Sequence, residues 1–179
     1  MEVAAMLFAL LADPNVTYTH NHIFPDVNYN DPLQVNIVNF VASRGYMIGD
    51  DRGHFRTNDP ISRAVVAVII TEVLDLLSQF QQAAVFTPAT GWGFPTAFPD
   101  TANHWANGFV WCAVQVGILR GFDDGTFRPD DYVTRAQLAA IFYNTFDRSG
   151  APMGNANFVD VPPTHWAYRA VMNAAVPSW

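Results

Sequence analysis

The chain has 179 residues and a mass of 19.8 kDa, and half of its residues are apolar, which excludes disorder as its main state. It carries 16 acidic and 9 basic residues, a formal net charge of -7. This balance argues against general binding to nucleic acid or to an anionic membrane surface. No run of 18 apolar residues occurs, so the sequence predicts no membrane insertion.

The first segment, residues 1–12, is apolar on nearly every face and is predicted to be a helix. Such a helix needs burial on several sides to stay in solution. The segment lacks a basic leader, so it is a poor signal peptide.

Two long connecting loops are predicted, at residues 13–23 and 81–97. The first contains a His-x-His pair, which alone is a weak metal pattern, so we expect no metal site there. The second is rich in Gly, Pro and Thr, and we expect its aromatic side chains to pin it to the domain. The histidines of the first loop are His20 and His22. The aromatic residues of the second loop are Trp92 and Phe94.

Residues 24–80 are predicted to form two helices joined by a turn. Asp31 and Pro32 are typical of a helix cap followed by the first helical position, and this helix runs to Gly45. Ser62 is predicted to cap the second helix, whose apolar positions are spaced to line one face.

Residues 98–147 follow the same plan of helix, turn, short extended piece and helix. Thr101 or Asn103 is predicted to cap the first helix, and Gly117 suits a left-handed stop at its end. An Asp-Gly pair then predicts a turn. The single cysteine, Cys112, falls in the first helix and is interpreted as a small core residue.

Self-comparison shows that the chain contains internal repeats. Two segments share Phe-x-Asp followed by His-Trp-Ala, and a third segment keeps the Phe-x-Asp part. Two turns share Gly and Asp-Asp followed by Gly-x-Phe-Arg, and each precedes a Ser/Thr-Arg-Ala element. The Phe-x-Asp segments are residues 24–27, 98–106 and 158–167. The turns are residues 45–56 and 117–128, and the Ser/Thr-Arg-Ala elements lie in residues 61–65 and 133–137.

The sequence predicts a single array over residues 1–179. Residues 158–179 hold only the first half of a repeat, and residues 1–12 align with the second half. Two whole repeats, 24–80 and 98–147, lie between them. The predicted fold is mainly α, a pseudo-threefold bundle of helix–loop–helix repeats with short extended segments. In this bundle the N-terminal helix completes the last half repeat.

These repeats resemble the S-layer homology family, whose units contain Phe-x-Asp-Val, His-Trp-Ala, Gly-Ile-x-x-Gly, Asp-Gly-Thr-Phe-x-Pro and Thr-Arg-Ala-Glu. The unit at residues 98–146 matches over its whole length. The first unit matches in its second half, and the last unit matches over residues 158–176. The resemblance implies three units in a threefold bundle.

The resemblance also implies a function. Most such domains bind anionic secondary polysaccharide of bacterial cell walls without forming covalent bonds, often through a pyruvylated sugar. We therefore expect a non-catalytic module without a cofactor, located outside the cell at the wall or surface layer, with cell-wall polysaccharide as its partner.

A binding site can also be built from the residues themselves. Thr134 and Gln137 form a capping box, which places Arg135 in the first turn of a helix. Unpaired backbone N–H groups and the helix dipole favour an anion there, and a guanidinium suits a carboxylate. Arg63 after Ser62 repeats this pattern.

Other side chains can complete the site. Trp105 or Trp166 can stack on a sugar ring, the aspartates of the Phe-x-Asp elements can accept sugar hydroxyl hydrogens, and two glycines can let the backbone approach a ligand. The aspartates and glycines are Asp26, Asp100, Asp160, Gly117 and Gly121.

Structural alternatives exist for each of these residues. Arg135 can instead form a bridge to Asp100 or Asp131, the tryptophans can belong to the core, and the aspartates can cap turns. The first repeat lacks the tryptophan, and Arg52 stands where the second has Asp124. We therefore expect unequal sites, with the one at Arg135 the most intact.

Two rival functions remain. Catalysis is disfavoured, because only Glu2 and Glu72 are glutamates, both in apolar helices, and no nucleophile, phosphate-loop or zinc motif occurs. The Asp-Asp-Gly turn lacks the ligand spacing of a calcium loop. The serious alternative is structural: terminal half repeats that complement each other between copies of the chain would build a head-to-tail filament or layer.

Overall fold

Helices dominate the described part of the computed structural model, which confirms the mainly α fold. The chain divides into two compact units, Met1–Pro60 and Ile61–Trp179. The division falls inside the predicted repeat at residues 24–80, before its second helix. The threefold arrangement of repeats stays a prediction. The described residues are 1–13, 15–79, 85–87, 91–146, 154, 156 and 158–174.

The first unit is built on α1 (Glu2–Leu11) and α2 (Pro32–Ser43), which pack against each other. The predicted start of α2 is confirmed, because Asp31 Oδ1 accepts hydrogen bonds from the backbone N–H groups of Leu33 and Gln34, both at 3.1 Å. An aromatic cluster of edge-on rings fills the space beside both helices. Its members are Phe8, Tyr18 and Phe40.

The second unit contains five helices, one strand pair and a short 3-10 helix within the described residues. The helices are α3 (Arg63–Val73), α4 (Leu76–Gln79), α5 (Asn107–Gln115), α6 (Arg135–Thr145) and α7 (Tyr168–Ala174). Strands β1 (Val85–Thr87) and β2 (Gly91–Gly93) pair antiparallel, and the 3-10 helix is Pro99–Thr101. None of the described helices is long and apolar enough to cross a membrane.

Some predicted boundaries were wrong. Neither Thr101 nor Asn103 caps α5; the helix begins at Asn107 without a side-chain cap, and the Thr101 hydroxyl donates to the Phe98 carbonyl instead. The second helix of the first repeat breaks after Val73, where Asp75 adopts a positive φ of 50°. The predicted loop at 81–97 contains the strand pair.

The helix pairs with the most extensive contacts come from neighbouring repeats rather than from one repeat. α1, which aligns with the second helix of a repeat, packs on the first helix α2. In the same way α3 packs on α5, and α6 packs on α7. The packing unit is therefore displaced from the sequence repeat by half its length.

The N-terminal ends of α1 and α3, which align as second helices of a repeat, make equivalent hydrogen bonds to the turn of a neighbouring repeat. The Ala64 N–H at the start of α3 donates to the Pro129 carbonyl at 2.8 Å. The Met1 ammonium donates to the Thr57 carbonyl at 2.5 Å. Met1 aligns with Ala64, and Thr57 aligns with Pro129. This supports the alignment of α1 with the second helix of a repeat.

Several local predictions are confirmed. Gly117 follows α5 with a φ of 76°, the left-handed stop that glycine favours, and Cys112 is fully buried. The Phe94 ring stacks on Trp111 at 5.5 Å, and Asn107 Nδ2 donates to the Phe94 carbonyl at 3.2 Å, so Phe94 pins its loop to α5. The side chain of Trp92 lies outside the described part.

Candidate functional site

Two identical turns display the candidate tryptophans. His104 Nδ1 accepts a hydrogen bond from the Ala106 N–H at 3.1 Å, and His165 Nδ1 accepts one from the Ala167 N–H at the same distance. Each histidine therefore closes a turn around the residue that follows it.

The turns leave the tryptophan rings in solvent. Trp105 is 63% exposed and Trp166 is 67% exposed, although Ala106 and Ala167 beside them are buried. Each indole lies next to its histidine ring, with centroids 5.3 and 5.5 Å apart. The structure thus places neither tryptophan in the core.

His104 connects the turn that holds Trp105 to the loop before α6. Its Nε2 lies 3.3 Å from Asp130 Oδ1. Further along that loop, Tyr132 is 66% exposed and pairs through its backbone with Ser62. The loop then reaches α6.

The predicted capping box at the start of α6 is confirmed. The Thr134 hydroxyl accepts from the Gln137 N–H at 3.2 Å, and Gln137 Oε1 accepts from the Thr134 N–H at 2.9 Å. Arg135 is the first helical residue and is exposed. An exposed arginine thus lies at the N-terminal end of an 11-residue helix, where the dipole favours negative charge.

Arg63 departs from the open geometry expected of it. The residue is only 8% exposed, and its guanidinium donates from Nε to the Phe127 carbonyl at 2.7 Å and from Nη2 to the Arg120 carbonyl at 2.8 Å. The guanidinium also lies over the rings of Phe122 and Phe127, at 4.8 and 4.4 Å from their centroids.

Burial lowers the pKa of Arg63, although a guanidinium remains charged at any physiological pH. Arg63 is buried because the start of α3 docks on the turn of the following repeat. The Arg63 side chain fills that contact and does not open to solvent.

The aspartates of the first two Phe-x-Asp elements hold turns. Asp100 accepts from the backbone N–H groups of Phe127 at 3.0 Å and Arg128 at 2.7 Å. Asp26 accepts in the same way from Phe55 at 2.8 Å and Arg56 at 2.7 Å. These hydrogen bonds agree with the alternative in which the aspartates cap turns instead of binding sugar hydroxyls.

The pKa values of Asp26 and Asp100 reflect these bonds. Burial alone would raise the pKa of each carboxyl, but hydrogen bonds from backbone N–H groups outweigh burial and lower it. Both carboxylates are therefore committed to the fold as anions.

The predicted glycines also serve the fold. A Cβ at Gly121 would lie 2.7 Å from the Thr126 carbonyl oxygen and would collide with the Phe98 ring. Gly49 is packed the same way, 2.7 Å from the His54 carbonyl oxygen and 2.8 Å from the Phe24 ring. Gly121 thus admits a phenylalanine of its own repeat.

Sequence reasoning missed two arginines at equivalent positions. Arg56 and Arg128 have φ values of 64° and 57°, a conformation that few residues other than glycine adopt. Arg128 Nη2 pairs with Asp124 at 2.7 Å, and Arg56 Nε pairs with Asp50 at 2.6 Å. Asp50 thus supplies the carboxylate in the first repeat, where Arg52 stands at the position of Asp124. The repeated Phe-Arg pair was the signal available.

Hydrogen bonds to the carboxylates lower the pKa of both Asp124 and Asp50 to about 2. For Asp124 the leading cause is the hydrogen bond from the Thr126 hydroxyl, followed by the one from Arg128. For Asp50 the leading cause is the backbone N–H of His54.

The third Phe-x-Asp element differs from the other two in its phenylalanine, which is exposed, whereas Phe24 is buried and Phe98 is half-buried. Phe158 is 40% exposed, whereas Phe24 is 1% exposed. Val159 is 96% exposed, and Asp160 is exposed as well. No described residue donates a hydrogen bond to the Asp160 carboxylate.

The His-x-His segment packs on an aromatic ring. The rings of His20 and His22 lie 6.1 and 4.5 Å from the ring of Phe24. His20 Nδ1 accepts from the His22 N–H, and His22 Nε2 lies 3.3 Å from the Gly53 carbonyl oxygen. No group of three metal-ligating side chains occurs among the residues that the structure describes.

Comparison with known proteins identifies the repeats. A model of the S-layer homology domain matches residues 23–64 and 97–139. Both matched segments are S-layer homology repeats. The two matched segments contain the Asp26 and Asp100 turns.

Similar proteins include two from Acetivibrio thermocellus. Cell surface glycoprotein 1 is 26% identical over 97% of the chain, and the cellulosome-anchoring protein is 27% identical over 97%. The chain spans 7% of the first relative and 37% of the second. An amylopullulanase of Thermoanaerobacterium thermosulfurigenes is 29% identical over 83% of the chain and 8% of its own length.

The family assignment supports an extracellular location, at the cell wall or surface layer, as the sequence predicted. It also supports a binding module of the cell surface rather than an enzyme. The amylopullulanase is an enzyme by name, but the chain matches only a small part of its length.

Proposed function

We propose that this chain is a non-catalytic module that binds anionic secondary cell-wall polysaccharide. In this proposal Trp105 and Trp166 stack on sugar rings, and Arg135 binds an acidic group such as the carboxylate of a pyruvylated sugar. The capping pair Thr134 and Gln137 holds the start of α6 in place.

The observation that supports this proposal most is the repeated His-Trp turn. Two histidines fix two backbone turns with the same 3.1 Å bond, and each turn projects a largely exposed indole. Covering on the order of 100 Å² of indole with a sugar ring would contribute roughly 2–3 kcal/mol. Two such platforms suit a polymer with repeated sugars.

Charge at the start of α6 suits an anionic glycan. Arg135 adds a planar, bidentate donor to the positive end of the helix dipole. Asp26 and Asp100 are left out of the proposed site because backbone amides occupy them, and Arg63 is left out because it is buried. Gly117 and Gly121 are explained by the helix stop and by ring packing.

Binding to purified cell-wall polysaccharide tests the proposal. We expect Trp105→Ala, Trp166→Ala and Arg135→Gln each to weaken binding about tenfold or more, because each removes one element of the surface. Trp105→Phe should keep most of the affinity, since an aromatic face remains.

Two variants serve as matched controls. Ile48→Ala removes another largely exposed apolar side chain, at 73% exposure, and Arg52→Gln removes another exposed arginine. Both should bind like the unaltered chain. Equal binding by Trp105→Ala, Trp166→Ala and the controls would contradict the proposal.

A further inference from the structure

The two tryptophan turns, residues 104–107 and 165–168, are built alike in their backbone as well. In the first, the Asn107 N–H donates to the His104 carbonyl at 3.0 Å; in the second, the Tyr168 N–H donates to the His165 carbonyl at 2.9 Å. Each turn thus has a histidine first, the tryptophan second and a buried alanine third. Because the histidine Nδ1 accepts from the N–H of that alanine, one ring nitrogen fixes the backbone on both sides of the indole.

This hydrogen bond requires a neutral imidazole. Nδ1 accepts from a backbone N–H in both turns, so the single ring hydrogen of the neutral form lies on Nε2. A protonated imidazole carries hydrogens on both nitrogens and has no acceptor left in any orientation. Protonation of either ring therefore breaks its bond to the alanine N–H.

The elements beside His104 carry mainly acidic residues. Asp130 faces Nε2 from the loop before α6, at 3.3 Å, and Asp131 and Arg128 lie in the same loop. The 3-10 helix before the turn carries Asp100, whose carboxylate accepts from the Arg128 N–H. The sequence of α5, which follows the turn, contains no charged residue. The carboxylate at Nε2 favours the tautomer with its hydrogen there, which leaves Nδ1 as the acceptor.

The elements beside His165 carry one acidic and two basic residues. Asp160 precedes the turn, Arg169 lies in α7, and Arg135 begins α6, on which α7 packs. Histidine normally changes its charge between pH 5 and pH 8, a range in which arginine and most carboxyl groups keep theirs. A change in the turns over this range therefore reports the imidazoles.

We propose that protonation of His104 and His165 opens the two tryptophan turns, so that the chain holds anionic polysaccharide near pH 8 and releases it near pH 5. The release of polysaccharide rests on the proposed function, whereas the opening of the turns does not. Both histidines are positioning residues, because they act through the tryptophans that follow them.

Other charged groups do not account for a release in this range. Arg135 stays a cation, and the carboxylate of a pyruvylated sugar stays an anion, between pH 8 and pH 5. The loss of stability linked to Asp50 and Asp124, whose pKa values are about 2, falls below about pH 4. A fall in affinity between pH 8 and pH 5 therefore points to the tryptophan turns.

The first measurement follows the free chain by NMR from pH 8 to pH 5. The ring protons of His104 and His165 report the protonation of each imidazole. The amide protons of Ala106 and Ala167 should move upfield with the same midpoints, which is the direction expected for a lost hydrogen bond. Alanine amides that stay unchanged while the rings take up protons would overturn the proposal.

The second measurement compares the affinity for purified cell-wall polysaccharide at pH 8 and pH 5. We expect binding to be about tenfold weaker, or more, at pH 5. In the double variant His104→Asn with His165→Asn, the asparagine oxygen can accept from the alanine N–H but does not titrate, so the ratio of the two affinities should fall to about one. His20→Asn is the matched control and should keep the full ratio. His20 Nδ1 accepts from the His22 N–H in the same way, but the residue between them is Asn21.

The outcomes separate this inference from the proposed function. Absence of binding at pH 8 would contradict the proposed function, and the NMR titration would still decide whether the turns open. Equal affinity at pH 8 and pH 5 in the unaltered chain would overturn the inference. A full pH effect in the double variant would overturn it as well.

Discussion

Replacing Arg63 with alanine tests whether this side chain is a structural clamp. The guanidinium makes two hydrogen bonds to carbonyls, at 2.7 and 2.8 Å, from a position only 8% exposed. A hydrogen bond from a charged donor contributes about 1.5–3 kcal/mol, and its loss leaves a buried acceptor unsatisfied.

Two opposing effects set the net magnitude. Stacking over Phe122 and Phe127 adds about 1 kcal/mol, whereas the cost of keeping a charge out of water offsets part of the gain. We expect Arg63→Ala to lower the free energy of unfolding by about 3 kcal/mol. Arg63→Lys should recover only part of it, because an ammonium cannot span both carbonyls as a planar fork does.

Urea unfolding followed by circular dichroism measures this effect. With a slope of about 2 kcal/mol per M, the midpoint of Arg63→Ala should fall by about 1.5 M. Arg135→Ala, at the equivalent but exposed position, should change the free energy of unfolding by less than about 1 kcal/mol. Similar small losses in both variants would refute the clamp.

The remaining predictions concern the turns. Asp100→Ala should lower the free energy of unfolding by about 2–3 kcal/mol, because the buried Phe127 N–H loses its acceptor; an unchanged urea midpoint would contradict this. Gly121→Ala should cost about 1–3 kcal/mol through collision with the Phe98 ring, whereas Gly93→Ala, where a Cβ meets open space, should be nearly neutral in the same assay. Acid should destabilise the fold: Asp50 and Asp124 have folded pKa values near 2, below the unfolded value of about 3.9. Their contribution is complete above about pH 4 and is lost as the pH falls towards 2, so a thermal midpoint constant from pH 5 to pH 2 would contradict it.

Features fixed by neighbours in the chain could be predicted from the sequence. The Asp31 cap, the Thr134 and Gln137 capping box and the Gly117 stop each depend on residues within one or two helical turns. The similarity between the repeats also predicted the order of the helices and the resemblance to the S-layer homology family.

Features fixed by residues distant in the chain could not be predicted from the sequence. Arg63 and Arg135 follow equivalent caps, yet the partners of the Arg63 side chain lie 57 and 64 residues away in the next repeat. The aspartates Asp26 and Asp100 hold turns 27 to 31 residues further on. Packing between neighbouring repeats decided these environments, and no local pattern reports it.

In the proposed function, exposed indoles and a helix-terminal arginine bind an anionic glycan. Its most direct test is a fluorescence titration of the chain with purified cell-wall polysaccharide, intact and with its carboxylates reduced to alcohols. We expect a change in tryptophan emission that saturates with the intact polymer, and an affinity about tenfold weaker for the reduced polymer. Co-sedimentation with the insoluble polymer, which does not depend on emission, should be lost in the double variant Trp105→Ala with Trp166→Ala. Equal affinity for both polymers, or unchanged binding after both tryptophans are replaced, would contradict it.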